Sequence, residues 1–437
     1  ASSATSSPPL PPTPSPPPPS PPPSPEMPRT GNLDVVLWGA TGFTGQLVAE
    51  YFASSISKRL PTLRWAISGR NAEKLEAVRS ACAAIGGTAP EVLRAASDDV
   101  ASVERVVSRA KVVLSTAGPF ERIGAPLVDA CVRLGTDYVD INGEVAWHKA
   151  MIERYDGEAR KLDVLLVPCC GFDSIPSDLG VQFVAERCAA RGSPAKRVEC
   201  YAALNGAFSG GTVLSGILGD ETHGPAILGN PYALGGAPAG GATAADADPA
   251  AAEFDAAMES WTAPFGMAMI NSRVVRRSVG LHREAAPADA AALYAGGFGY
   301  RERALVPTEE MAKKAARAAT APAAKRRELV AKGRLPSPGE GPSKEQRENG
   351  WFNFPLRAEP ADGGPPVVGT VSGGEPGYDE TSKMVSEAAV LLATQRDALP
   401  GVAKAGFATP ATAFGAALRE RLHAEGIRFE LQPESKL

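Results

Sequence analysis

Three glycines at every third position, Gly39, Gly42 and Gly45 in the stretch LDVVLWGATGFTG, are the residues whose type and spacing point most directly to chemistry. A turn of this kind between a strand and a helix bares backbone N–H groups to an anion. The first glycine permits the turn, the second lets a pyrophosphate approach, and the third lets the helix pack on the strand. Thr41, Phe43 and Thr44 belong to the same cradle. The GxxGxxG spacing is less diagnostic than GxGxxG, and a glycine-rich turn without a ligand is the plain alternative. The next apolar run ends in Ser68, Gly69, Arg70 and Asn71. Dinucleotide folds usually place an Asp or Glu there for the ribose hydroxyls. Here no acid occurs before Glu73, and a guanidinium at Arg70 suits a 2′-phosphate. The pattern favours NADP(H) over NAD, against the alternative of a solvated arginine at a strand end.

Hydride transfer needs an acceptor held against the nicotinamide and a proton donor or oxyanion partner beside the atom that becomes negative. Asp173 and Ser174, in GFDSIPSD, follow an apolar run and are candidates for that role, as is Asp178 with less claim. Pro176 suits a first helical turn, so Asp173 or Ser174 as a helix cap is an equal alternative. Tyr138 is a candidate general acid beside Asp140 and Glu144, although its alternation with Val139 and Ile141 also fits a strand tyrosine with a bonded hydroxyl. No Tyr-x-x-x-Lys pair follows it, which argues against a short-chain dehydrogenase mechanism. Arg273, Arg276 and Arg277 could grip a carboxylate or phosphate; the plainer expectation is a strand with exposed arginines. Phe208, Val213, Leu214, Ile217, Phe265, Met267, Met269 and Ile270 suit an apolar acceptor, as they suit an ordinary core.

The elements that must position these groups alternate between short apolar runs and helix-period segments. Strands are expected at 35–38, 63–68, 92–95, 112–115, 138–141 and 164–169, with helices after the glycines and at 72–85, 125–134 and 145–161. This βαβ alternation predicts a doubly wound parallel sheet with the cofactor across the carboxyl ends of its strands, where Thr116, Gly118 and Pro119 follow the fourth.

The chain has 437 residues, enough for two domains, and a formal net charge of −4, which argues against nucleic acid as the main partner. Its six cysteines and four histidines show no metal-ligand spacing, so no metal is expected. No apolar stretch is long enough to span a bilayer; the nearest, 202–218, is broken by glycines and Asn205. Residues 1–28 are proline-rich and expected to be disordered. Their Ser-rich, acid-poor composition points to an organelle, mitochondrion or plastid. The lack of arginine before Arg29 keeps a plain linker open, with the cytoplasm or a lipid-droplet or membrane surface as the other location.

GATGFTG at Gly39, SGR at Ser68, TAGPF at Thr116, YVDINGE at 138–144 and CGFDSIPSDLG at 170–180 together resemble the saccharopine dehydrogenase-like oxidoreductases. The nearest branch includes bacterial trans-acting enoyl reductases and plant and animal saccharopine dehydrogenase-like proteins. The similarity continues through SGGTVLSGI at Ser209, FGMAMINSRVVRRS at Phe265, GYDETSKMVSEAAVLLA at Gly377 and TPATAFG at Thr409, and is weakest at 235–252 and 313–347. The resemblance implies a Rossmann domain binding NADP(H), a mixed α/β second domain covering the nicotinamide, and a final helix, here 411–425, returning to the first. The expected division is 1–30 disordered, 31–190 cofactor domain, 191–400 substrate or dimerisation domain, and 401–437 returning segment. The expected activity is NADPH-dependent reduction of a C=C or C=O/C=N bond in an apolar, lipid-like substrate. An amino-acid imine dehydrogenase and a non-catalytic NADP-binding, lipid-associated protein stay open, as do a homodimer and peripheral association with a lipid surface.

Overall fold

The computed structural model describes residues 31–432 apart from 208, 224, 320, 338 and 339. The proline-rich stretch and Phe208 lie outside the described residues. The first sheet contains β1 (Leu33–Trp38), β2 (Trp65–Gly69), β3 (Glu91–Arg94), β4 (Ala110–Ser115), β5 (Asp137–Asp140) and β6 (Leu165–Val167). All pair in parallel, in the order β6-β5-β4-β1-β2-β3. Every residue of β1 is buried because helices cover both faces. Val35 and Leu37 face one core with Val48 and Phe52, and Val36 and Trp38 face the other with Val113 and Val128. The sixth strand is shorter than the apolar run suggested, because Cys169 turns the chain at a φ of 62°.

The helix Ile175–Ala190 carries the chain out of this sheet and packs on the second. That sheet is built from β7 (Ala195–Asn205), β8 (Glu253–Asp255), β9 (Ser260–Pro264), β10 (Tyr294–Val306), β11 (Trp351–Pro360) and β12 (Val367–Gly373). It is mixed: β10 and β7 run parallel, and the remaining pairs antiparallel. Along β11 the alternate residues Phe352, Phe354, Leu356 and Ala358 are buried, as a sheet with one covered face requires.

After β12 the chain returns. The helix Thr381–Gln395 lies against β1, β4 and β5, and β13 (Gly406–Phe407) adds a seventh parallel strand beside β6. The last strand, β14 (Arg428–Leu431), pairs with β12 in the second sheet. The single helix expected over 411–425 is two, Pro410–Ala413 and Gly415–Ala424, divided where Gly415 takes a φ of 51°. Phe414, Leu418 and Leu422 are nevertheless all fully buried. A larger difference concerns Arg273, Arg276 and Arg277: the expected exposed strand is a helix, Ala268–Ala285, and all three arginines are buried in it. The β-branched pair Val274 and Val275 invites a strand, but tertiary packing on two sides of the helix decides, Ile270 and Val274 into one buried cluster and Val275 and Val279 into another.

Candidate active site

The glycine turn is built as its chemistry requires. Gly39 has a φ of 89°, and its N–H donates to the Ser68 carbonyl at 3.0 Å. A Cβ on Gly45 would stand 2.2 Å from the Gly39 carbonyl oxygen, so only glycine lets the helix Phe43–Tyr51 pack this closely. Gly42 is exposed at the cap of that helix, whose first turn has no acidic residue. The first-turn N–H groups of a helix have no acceptor within it and carry the positive end of its dipole. This cradle therefore fits a pyrophosphate. Thr41 sits beside the β2 end, its side chain 3.7 Å from where a Cβ of Gly69 would be. Ser68 is fully buried, and Asn71 accepts the Lys74 N–H at 2.9 Å to cap the helix Ala72–Ala84. Arg70 is exposed, and among the described residues its guanidinium has no hydrogen bond or ion pair. Next to these groups, a cavity of about 320 Å³ is lined by Thr41, Gln46, Glu50 and Lys74.

On the other side of β1, the β4 end closes onto the same turn. The Thr116 hydroxyl lies 3.3 Å from the carbonyl oxygens of both Trp38 and Gly39. Gly118 and Pro119 lead to Phe120 and Glu121, whose N–H groups donate to the two carboxylate oxygens of Glu144 at 2.9 and 2.8 Å. Glu144 also accepts the Ser215 hydroxyl at 2.7 Å. The strand order separates the candidates along the carboxyl edge: Arg70 follows β2, whereas Glu144 and Asp173 follow β5 and β6 on the far side of β1.

Asp173 and Ser174 meet different fates. Ser174 has a φ of 100°, a strained value for a residue with a Cβ, and its hydroxyl donates to Asn271 Oδ1 at 3.0 Å instead of capping the following helix. Asn271 in turn donates to Glu302 at 2.9 Å, which also accepts from Ser177 at 3.0 Å and Tyr300 at 3.1 Å. Asp173 has no hydrogen-bond partner among the described residues and keeps a little exposed surface. Burial alone pushes its carboxyl up to about 7. Its Oδ2 lies 2.8 Å from where a Cβ of Gly143 would stand.

Asp178 is also pushed up to about 7 by burial, but it accepts the Ser278 hydroxyl and the Ala411 N–H, the latter at 2.8 Å. Tyr138 is fully buried, and its hydroxyl donates to Asp140 at 2.9 Å; burial, then that carboxylate, hold it well above its ordinary range. Asp140 is itself raised to about 7 by burial, against the N–H groups of Asn142 and Cys169 at 2.8 and 3.0 Å.

The three arginines hold backbone. Arg273 donates to the carbonyls of Asn230 and Leu228 at 3.1 and 2.9 Å, Arg276 to Asp246 at 2.8 Å, and Arg277 to Leu234 at 2.7 Å. They organise the glycine-rich segment in front of their helix. Nearby, Val145, Cys169, Leu234, Ile270 and Val274 form an apolar cluster next to the β6 end. Two groups escaped the sequence reading: Gly143, and Ser215 as a partner of Glu144. The residues of the latter pair lie 71 positions apart, and no local pattern marks the contact.

Residues 35–167 match the model of the saccharopine dehydrogenase NADP-binding domain. A trans-acting enoyl reductase of Mycobacterium bovis is 32% identical over 432 residues, 92% of this chain and 98% of its own length. A Mycobacterium tuberculosis protein provisionally named as an enoyl reductase of the same kind is 33% identical over 422 residues, 91% of this chain and 97% of its own length. The chain belongs to the saccharopine dehydrogenase-like oxidoreductases. Its place is in the branch of the trans-acting enoyl reductases. As a member of that family it is an NAD(P)-dependent oxidoreductase, and its first sheet carries the family's NADP-binding domain. Apo saccharopine dehydrogenase (L-Glu forming) of Saccharomyces cerevisiae covers 91% of this chain and 99% of its own, at 12% identity and a TM-score of 0.49. Among the described residues no helix is long and apolar enough to cross a membrane, and no group of three or more His, Cys, Asp or Glu could hold a metal ion.

Proposed function

We propose that this oxidoreductase uses NADPH to reduce a carbon–carbon double bond conjugated to a carbonyl in an apolar, acyl-type substrate. NADPH, when bound, supplies the hydride. The turn at Gly39, Gly42 and Gly45 holds its pyrophosphate, Arg70 with Thr41 and Asn71 meets the adenosine 2′-phosphate, and Thr116, Gly118 and Pro119 line the path to the nicotinamide. The observation that carries the reading is Asp173, a carboxyl on the nicotinamide side without a hydrogen-bond partner among the described residues, raised to about 7 by burial. At neutral pH a large share of it is protonated, so it can give its proton to the carbon next to the carbonyl as the hydride arrives on the other. The hydroxyls of Tyr138 and Ser174 are engaged elsewhere, on Asp140 and Asn271, which leaves Asp173 as the proton donor of this reading.

The acyl substrate is supported by the names of the relatives. An amino-dicarboxylate imine is disfavoured, because the arginines that would grip it already hold carbonyls. The test is NADPH oxidation with a panel of enoyl thioesters, in wild type and Asp173→Asn. Turnover in wild type, lost in the variant with NADPH affinity kept, supports the reading. Tight NADPH binding with no turnover on any member favours a non-catalytic nucleotide-binding protein. A mitochondrial or plastid location completes the proposal, and imaging the full chain with a C-terminal fluorescent tag tests it.

A further inference from the structure

The helix Gly210–Thr222 is held at points along its length by groups of the cofactor site. At its start, the Ser209 N–H donates to the Tyr378 hydroxyl, and the Tyr378 ring meets Phe43 edge-on at 5.0 Å. In its middle, Ser215 donates to Glu144 at 2.7 Å. Just past its end, His223 Nε2 lies 3.2 Å from Glu121 Oε2. Phe43 opens the helix of the glycine turn, and Glu121 follows the β4 loop. The covering helix therefore spans from the pyrophosphate end of the site to the nicotinamide end.

Glu144 joins the two structures. One carboxylate accepts the N–H groups of Phe120 and Glu121 and the hydroxyl of Ser215. We propose that Glu144 is a positioning residue that links occupancy of the nicotinamide end to closure of the helix Gly210–Thr222. Contact of the cofactor with the β4 loop orders the N–H groups of Phe120 and Glu121. These fix the carboxylate, and the carboxylate offers Ser215 its acceptor. By linkage, the closed helix raises affinity for whatever orders the loop, to the same factor. A ligand that reaches only the adenosine end gains nothing from this device. The inference rests on the NADP(H) reading of the site.

The experiment compares NADPH with 2′,5′-ADP, which carries the adenosine and 2′-phosphate half without the nicotinamide. Affinities are read by calorimetric titration, and closure by hydrogen exchange over 210–222. In wild type, NADPH slows exchange in this segment and 2′,5′-ADP does not. In Glu144→Gln, which keeps one acceptor oxygen and turns an amide donor toward the other N–H, NADPH binds about tenfold more weakly, roughly 1.4 kcal/mol, 2′,5′-ADP binds unchanged, and the protection is reduced. Ser215→Ala leaves the loop contacts intact and loses the protection, which keeps the test open if Glu144→Gln does not fold. Equal weakening of both ligands in Glu144→Gln, unchanged NADPH affinity, or protection retained in Ser215→Ala overturns the proposal. Binding of neither ligand by wild type instead overturns the cofactor reading beneath it.

Discussion

Asp173 Oδ2 lies 2.8 Å from the point where Gly143 would carry a Cβ, so the carboxyl occupies space that only glycine leaves open. A methyl group there must move the carboxyl, since a contact below about 3 Å is far inside van der Waals separation. Gly143→Ala therefore displaces the proposed acid without changing its chemistry. The expected result is a fall in kcat of about 10²- to 10⁴-fold, the usual worth of a positioned acid, with NADPH affinity retained. Steady-state kinetics and nucleotide titration check it. An unchanged kcat removes Asp173 from the reaction.

Arg70 stands exposed at the β2 end, between Asn71 and Gly69, the glycine whose absent Cβ faces Thr41 at 3.7 Å. A charge-assisted contact to a 2′-phosphate is worth about 1.5–3 kcal/mol, whereas NADH has no group for it. Arg70→Ala should thus weaken NADPH at least about tenfold and leave NADH nearly untouched. Fluorescence titration with both nucleotides measures the ratio. A wild type without preference for NADPH, or a variant that keeps it, refutes the assignment.

The first sheet was legible because its signals are local. A fully buried strand such as Val35–Trp38 reads as a continuous apolar run, and the turn that follows needs glycine at Gly39 and Gly45 for reasons confined to neighbouring residues. The site was legible only as strand ends. That Asp178 is bonded, while Asp173 has no hydrogen-bond partner among the described residues, depends on Ser278 and Ala411, which lie 100 and 233 positions from Asp178. The arginine helix was misread for a similar reason. Its guanidiniums find carbonyls up to 45 positions away, Arg277 reaches Phe407 at a separation of 130, and the acids that pair with Arg273 and Arg277, Asp248 and Asp156, stand in other segments, so no local pattern betrays their burial.

Glu387 is fully buried and joins the returning helix to the first. It accepts the Tyr51 hydroxyl at 2.7 Å and Arg421 Nε at 2.8 Å, and it pairs with Arg59. The two arginines are partly exposed, and the carboxylate is not. Removing the carboxylate lets the arginines rehydrate, at a cost of about 1–3 kcal/mol. Removing both arginines strands a buried charge, which costs about 3–5 kcal/mol. Glu387→Gln should accordingly lower the unfolding free energy less than the double variant Arg59→Ala/Arg421→Ala. Denaturant unfolding of the two proteins decides, and the reverse order contradicts this account of the clasp.

Glu302 supplies a pH dependence of known sign. Burial raises its carboxyl to about 7, despite the donors Asn271, Ser177 and Tyr300. In the unfolded chain it titrates near its ordinary value, about 4.3. Between those values the unfolded chain releases the proton while the folded one keeps it. The stabilisation is complete below about pH 4 and is lost as pH rises through about 7. Wild type should therefore melt at a lower temperature at about pH 8 than at about pH 5. Glu302→Gln has no proton to lose, keeps the one acceptor oxygen that serves both Asn271 and Ser177, and should show a smaller drop. Asp140, Asp173 and Asp178, all raised to about 7, remain in the variant and act in the same direction, so the drop shrinks without vanishing. Melting curves at the two pH values test this, and equal drops in wild type and variant exclude Glu302 as a contributor.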